Sequence, residues 1–390
     1  MDLLLAAFLM AWGGAGTDHP DMTFEQLVQA SLDSKNAVVQ QAPGGSPEDR
    51  LRPVSKIDPQ KDAPKVKGIY ATAHSAGGSR LNTLLKLIDD TELNAMVVDI
   101  KDDWGYITYD TGNPELNAME TTQKIIPDMG KLMSTLQEHQ VYPIARIVVF
   151  KDTVLAKKRP DLSYLNPDGS LWGNSKNPPD SFVNPYKKEV WDYNVAVAKE
   201  AAKAGFKEIQ FDYVRFPEGF ETRADKLIYD KDERTRIEAV AEFVKYAREQ
   251  LSPLGVRVSV DIFGYAASVP AAEGIGQDFQ KISQNVDVIC PMIYPSHYST
   301  GWFGAKVPDA QPYTTIDGAS KDTHKKLDPL DQLKPVIRPW IQDFTATWVP
   351  GHIRYGKQEV EEQIRALKDN GIDEFLLWNA VNTYTPDVNY

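Results

Sequence analysis

From Val66 onward the chain alternates short, β-rich apolar runs with amphipathic stretches, the pattern of βα units wound around a parallel sheet. Eight runs read as strands: Gly68–Ala73, Ala95–Lys101, Tyr142–Phe150, Glu208–Val214, Arg257–Phe263, Val286–Tyr294, Val336–Gln342 and Glu374–Asn379. Between them a 3.6-residue period predicts helices over Arg80–Asp89, Pro127–Glu138, Lys187–Ala204, Glu233–Gln250 and Gln358–Asp369. Two further helices are expected around Asp278–Gln284 and Tyr313–Lys326. Ser79 reads as the N-cap of the first helix, and Gly205, Gly255 and Gly371 stand where helices should end. Eight such units within residues 66–390 predict an α/β fold, a (β/α)8 TIM barrel. Two connections longer than a tight βα turn, 151–186 and 295–312, follow strands three and six and are rich in Trp, Tyr, Asn, Pro and Gly. Loops at the carboxyl ends of barrel strands build the active face.

The first 65 residues break this pattern. Leu3 to Trp12 is an apolar run followed by Gly13-Gly14-Ala15-Gly16, the layout of a signal-peptide core and cleavage site, and too short to span a bilayer. Asp2 stands where a basic residue is usual, and a short buried helix is the competing reading. Residues 17–65 are polar and Pro-rich, a flexible extension acting as linker or mobile arm with one short helix at Phe24–Leu32. Removal of residues 1–16 implies an extracellular or cell-envelope location.

Strand parity supplies the candidate chemistry, because alternate side chains face the barrel interior and the helices. In Val97-Val98-Asp99-Ile100-Lys101 the apolar Val98 and Ile100 suit the helix side, which sends Asp99 and Lys101 inward. The same rule sends Gln210 and Asp212 inward from strand four, and Ser259 and Asp261 from strand five. Arg146, Tyr294, Arg338, Trp340, Gln342 and Trp378 follow from the other strands. Carboxylates, arginines and aromatic rings at one mouth suit glycoside hydrolysis, which needs a protonated acid at the leaving oxygen and a second carboxylate as nucleophile or base. The competing reading is a set of ion pairs holding the barrel top together. Trp104, Trp172, Trp302 and Trp348 also fall in loops after strands, where ring faces stack on sugars.

Composition narrows the classes. A net charge of -12 argues against nucleic acid and anionic membrane surfaces. Cys290 is the single cysteine, so an intrachain disulfide is impossible. The six histidines show no HxH or HExxH spacing, so no metal site and no cofactor are expected.

Five segments carry a resemblance: Lys67-Gly68-Ile69-Tyr70, Val98-Asp99-Ile100-Lys101-Asp102-Asp103, Phe211-Asp212-Tyr213-Val214-Arg215-Phe216-Pro217, Pro291-Met292-Ile293-Tyr294-Pro295 and Leu377-Trp378-Asn379-Ala380. In this order they resemble the "putative glycoside hydrolase domain" family of bacterial barrel proteins, long described as a domain of unknown function. The resemblance implies a (β/α)8 barrel and polysaccharide hydrolysis, without a catalytic assignment. More distantly, an aspartate ending strand four is similar to the nucleophile of α-amylase-like barrels. Those carry an Arg two residues earlier and a Glu after strand five, whereas this chain has Gln210 and Asp261.

The reading is a glycoside hydrolase acting on a poly- or oligosaccharide. Asp212 and Asp261 are the leading pair, with Asp99 as a third carboxylate that tunes or replaces one of them. Lys101, Arg146, Arg215, Tyr294, Arg338, Trp340, Trp378 and Asn379 are the expected substrate-binding residues. Which aspartate is the acid, and whether configuration is retained or inverted, stay open. Two alternatives belong to other classes: a catalytically silent carbohydrate-binding barrel of the cell envelope, and a lyase or aldolase using Lys101 as a Schiff base. N-terminal sequencing of the mature protein tests the export reading. A start after Gly16 is expected, and retention of Met1 counts against cleavage.

Overall fold

The computed structural model describes residues 63–390; the expected leader, linker and Phe24–Leu32 helix lie outside the described residues. Among the described residues nine strands are present: β1 (Lys67–Ala71), β2 (Ala95–Lys101), β3 (Tyr142–Val148), β4 (Glu208–Asp212), β5 (Arg257–Phe263), β6 (Val288–Met292), β7 (Val336–Ile337), β8 (Trp340–Gln342) and β9 (Phe375–Trp378). All their pairings are parallel, running from β1 through β6, on through β7 and β8 to β9, and back to β1. The result is a closed eight-stranded parallel barrel, because β7 and β8 share the seventh position. The predicted strand Val336–Gln342 is interrupted at Pro339, which has no N–H to give to a ladder. β7 pairs with Val288 and Ile289, and β8 resumes opposite Met292.

The helices follow the predicted periodicity: Arg80–Asp89, Met129–Glu138, Lys188–Ala204, Arg236–Leu251, Phe279–Ser283, Pro312–Leu327 and Lys357–Asp369. Their starts are chemically marked. The Asp128 and Asp278 side chains accept from the amides of Lys131 and Lys281, and Thr235 and Glu238 form a reciprocal capping box. Gly205 ends Lys188–Ala204 at φ 114°, a conformation that glycine adopts without steric penalty. Ser79 stands at the N-cap of Arg80–Asp89 as expected, though without a side-chain cap bond, and Thr72 caps a short additional helix, Ala73–Ala76. Residues 102–128 and 213–235 form long connections beside the two expected ones.

Strand parity divides the core in two. Tyr70, Val97, Ile144, Val288, Cys290, Trp340 and Leu376 pack inside the barrel. Ile69, Met96, Val98, Ala145, Ile209, Val258, Ile289 and Leu377 face the helices and join the larger outer core. Each large apolar side chain so buried contributes roughly 1.5–3 kcal/mol.

Two expected mouth residues lie elsewhere. Arg338 sits at the barrel floor, with Nη1 2.7 Å from Glu208 at the start of β4 and Nε 2.7 Å from Glu374 just before β9. Its inward parity holds, but position 338 precedes the break at Pro339 and lies too low to reach the mouth. Lys101 is displaced by an irregularity in the β2–β3 register between Asp99 and Lys101. Its ammonium lies 2.7 Å from Asp152, 2.6 Å from the Val148 carbonyl and 3.2 Å from Asn194 on the flanking helix Lys188–Ala204. One shifted residue reverses the face a side chain takes, which removes Lys101 from the interior.

Arg338→Met leaves Glu208 buried without its guanidinium and is expected to destabilise the barrel by about 3–5 kcal/mol. Urea unfolding followed by circular dichroism reads this, and the double variant with Glu208→Met should recover most of the loss.

Candidate active site

The carboxyl ends of the strands surround a cavity of about 470 Å³. Eight of the expected residues line it: Arg146, Asp212, Arg215, Asp261, Tyr294, Trp340, Trp378 and Asn379. Arg146 comes from β3, Asp212 ends β4, Asp261 stands in β5, Trp340 opens β8 and Trp378 closes β9. The remaining walls are largely aromatic or apolar, including Tyr213, Phe263, Met292, Phe344 and Trp348. Phe263 reaches the wall because the chain turns sharply at Gly264, where a Cβ would stand 2.6 Å from the Met292 carbonyl and 2.4 Å from the Tyr298 hydroxyl. A side chain at this position would force that turn away from β6.

Arg146 organises the polar side of the cavity. Its Nε and Nη2 lie 3.0 and 2.6 Å from the same oxygen of Asp212, its Nη1 lies 2.7 Å from Asp99, and Asp103 is 3.2 Å away. The guanidinium also stands 5.7 Å from the Tyr70 ring centroid and 5.6 Å from that of Trp378, within cation–π range. Asp103 bonds to Lys151 at 3.1 Å. Burial alone would raise the Asp103 carboxyl, but Lys151 and Arg146 outweigh it and hold the group well below the usual carboxylate range. Asp99 accepts from the Tyr70 hydroxyl, and burial pushes it up to about 6 against the pull of Arg146.

The second oxygen of Asp212 accepts from the Tyr213 amide at 2.6 Å. Tyr213 takes a φ of 51°, a left-handed conformation uncommon for a bulky residue. Gln210 and Phe211 of β4 pair with Ser259 and Val260 of β5, so the next residues along, Asp212 and Asp261, end up as neighbours. Asp261 has a different environment. Its carboxyl accepts from the Trp340 indole at 2.7 Å. Burial, reinforced by the charge of Asp212, pushes its pKa well above the ordinary value, although the indole bond opposes this. One of the two adjacent carboxyls is therefore ion-paired, and the other is pushed toward its protonated form.

The other wall residues are fixed by their neighbours. Trp378 stacks on Tyr70 at 4.2 Å and meets Trp340 edge-on at 5.6 Å. Asn379 spends its amide on the Asp343 and Thr383 carbonyls, at 2.6 and 2.7 Å. Burial lowers His297 to about 4, so its ring is neutral near pH 7. Among the described residues no group of three His, Cys, Asp or Glu is arranged to hold a metal ion. Asp99 stands behind Arg146 and does not line the cavity, and neither do Lys101 and Arg338. Sequence reasoning overlooked Asp103, Tyr213, Phe263 and Phe344. Asp103 and Tyr213 lay within the segments carrying the family resemblance. Phe263 and Phe344 had no local signal beyond their place at strand ends.

A family model described as "Putative glycosyl hydrolase domain" matches residues 68–384. The chain belongs to this family. No curated protein matches it. Among solved structures, a hypothetical protein from Ruminiclostridium thermocellum ATCC 27405 is 36% identical over a match covering 50% of this chain and 96% of that one, with a TM-score of 0.45. The glycoside hydrolase domain of PgaB (BpsB) from Bordetella bronchiseptica is 13% identical, with 81% of this chain and 94% of that chain covered and a TM-score of 0.53. That second likeness is one of fold. Membership in the glycosyl hydrolase family rests on the family model, which spans all nine strands but the first residue of β1.

Asp261 should make the wild type's stability depend on pH in a defined direction. Its carboxyl holds its proton more tightly in the folded chain than in the unfolded one, so between the two values folding takes up protons. The resulting penalty is relieved as pH falls from the raised folded value toward the unfolded value near ~3.9. Asp261→Asn, which keeps an acceptor for the indole, is expected to be more stable than wild type at neutral pH. Thermal melts across pH 4–8 check this, and the gap between the two proteins should shrink toward the acid end.

Proposed function

We propose that the cavity is the active site of a glycoside hydrolase acting on a poly- or oligosaccharide, with Asp261 as general acid and Asp212 as nucleophile or base. The observation that carries this reading is the contrast between two adjacent carboxyls. Asp261 is buried, bonded to the Trp340 indole and pushed by burial well above the usual carboxylate range, whereas Asp212 is paired with Arg146. Pairs of titratable groups whose environments drive them apart are what acid–base assignments rest on. In the reaction Asp261 gives its proton to the glycosidic oxygen as the bond to the anomeric carbon breaks. Asp212, aimed by Arg146 and the Tyr213 amide, meets the positive charge growing on that carbon, either directly or through a water it deprotonates.

The aromatic wall supports a sugar ligand, because Tyr294, Trp340, Trp378 and the stacked pair Phe344–Trp348 offer apolar faces to the C–H faces of sugar rings. The Schiff-base alternative has no lysine at the cavity, and Lys101 is ion-paired with Asp152 on the helix side of the sheet. An extracellular or envelope location extends the reading, on the strength of the apolar run Leu3–Trp12 and the small residues after it.

Reducing-end release from a panel of bacterial polysaccharides tests the proposal. Asp212→Asn should lose activity by on the order of 10²–10⁴-fold with its circular dichroism spectrum intact. Undiminished activity in the variant would remove Asp212 from the mechanism. Binding without release by wild type would favour the silent carbohydrate-binding barrel.

A further inference from the structure

We propose that the cavity selects glycan segments carrying no carboxylate, sulfate or phosphate, because both cations that line it are already bound to the protein's own acidic groups. This inference rests on the reading of the cavity as a sugar site and names the class of sugar it takes.

Among the described residues, Arg146 and Arg215 are the only Lys or Arg side chains lining the cavity. Arg146 places two nitrogens on Asp212 and a third on Asp99. Arg215 gives Nη2 to Glu218 at 2.7 Å and Nη1 to the Phe216 carbonyl at 3.1 Å. Its guanidinium also lies 4.7 Å from both the Tyr213 and Phe263 ring centroids, within cation–π range. His297, the one histidine lining the cavity, is kept neutral by burial.

An acidic sugar entering this space must therefore do one of two things. It can displace Asp212 or Glu218 from its arginine, which leaves a protein carboxylate unmatched in a buried setting. Otherwise it keeps its own charge unpaired against aromatic walls, which is costly for any ion. The surrounding charge adds to the barrier. Asp99, Asp103 and Asp212 converge on Arg146, and Lys151 beside Asp103 joins Asp180 and Lys176, so the cluster has four carboxylates against three cations. Hydroxyl and amide groups meet no such barrier and can bond to either carboxyl.

The test compares a uronate-bearing polysaccharide with the same polymer after carbodiimide–borohydride reduction, which turns each carboxylate into a primary alcohol and keeps the linkages. Reducing-end release and affinity electrophoresis are both read. The reduced polymer is expected to be preferred at least ten-fold in kcat/KM or in affinity. Glu218→Gln, which frees Arg215 from its counter-ion, is expected to narrow that preference by lowering KM for the uronate form. Equal use of the two forms, or preference for the native uronate, would overturn the inference while leaving hydrolysis intact. If nothing is cleaved, the hydrolase reading fails, and tighter retention by the reduced polymer still upholds the charge selection. Retention of neither form by any polymer overturns both.

Discussion

A guanidinium buried at the top of a barrel has to be matched, and at Arg146 that requirement shapes everything around it. Three carboxylates from three places in the chain converge on it: Asp99 from β2, Asp103 from the following turn, and Asp212 from the end of β4. Tyr70 and Trp378 lie beside its charge. Moving any member leaves a charge without its partner in a desolvated place, so the members hold one another in position. The loop after β2 is tied to the mouth by the same interaction, and the orientation of Asp212 follows from it.

Against that fixed charge the two central carboxyls diverge. Asp212 receives the side-on grip of Arg146 and the amide of Tyr213, whose left-handed backbone is held in place by the ring contacts around it. Conformations of this kind cost about 1–3 kcal/mol and gather where geometry matters more than stability. Asp261, one strand away, meets an indole and the field of Asp212 in place of a cation. Their positions in neighbouring strands are equivalent, and only the surroundings set one beside a guanidinium and the other beside an indole.

The barrel carries a second ionic layer at the opposite end. Glu208, Arg338 and Glu374 close the floor, and Gln210, Ser259 and Cys290 fill the buried space between floor and mouth. Conserving charge at the amino end of a barrel serves stability, whereas the carboxyl end presents charge to ligands. The floor pairs are sealed from the cavity, and the mouth pairs form its wall.

The eight βα units, the closed parallel sheet and the inward set of side chains were legible in the sequence, because each follows from a local period of about 3.6 or 2 residues. Asp212, Asp261, Arg146, Trp340 and Trp378 were placed at the mouth by that rule alone. Lys101 and Arg338 were not, and each failed for a physical reason that alternation does not contain. The register irregularity beside β3 turned Lys101 to the helix side, and the break at Pro339 left Arg338 at the floor. Parity gives the face of a side chain, whereas its depth depends on how neighbouring strands are staggered. The partners of each charge were likewise decided only by the tertiary structure. Glu218 on Arg215 and Asp103 on Arg146 are contacts made by loops, whose paths no periodicity encodes. The sequence by itself determined the barrel and which residues face its interior. Packing between distant segments decided which of those residues reach the cavity, and which of them carry a free charge when they arrive.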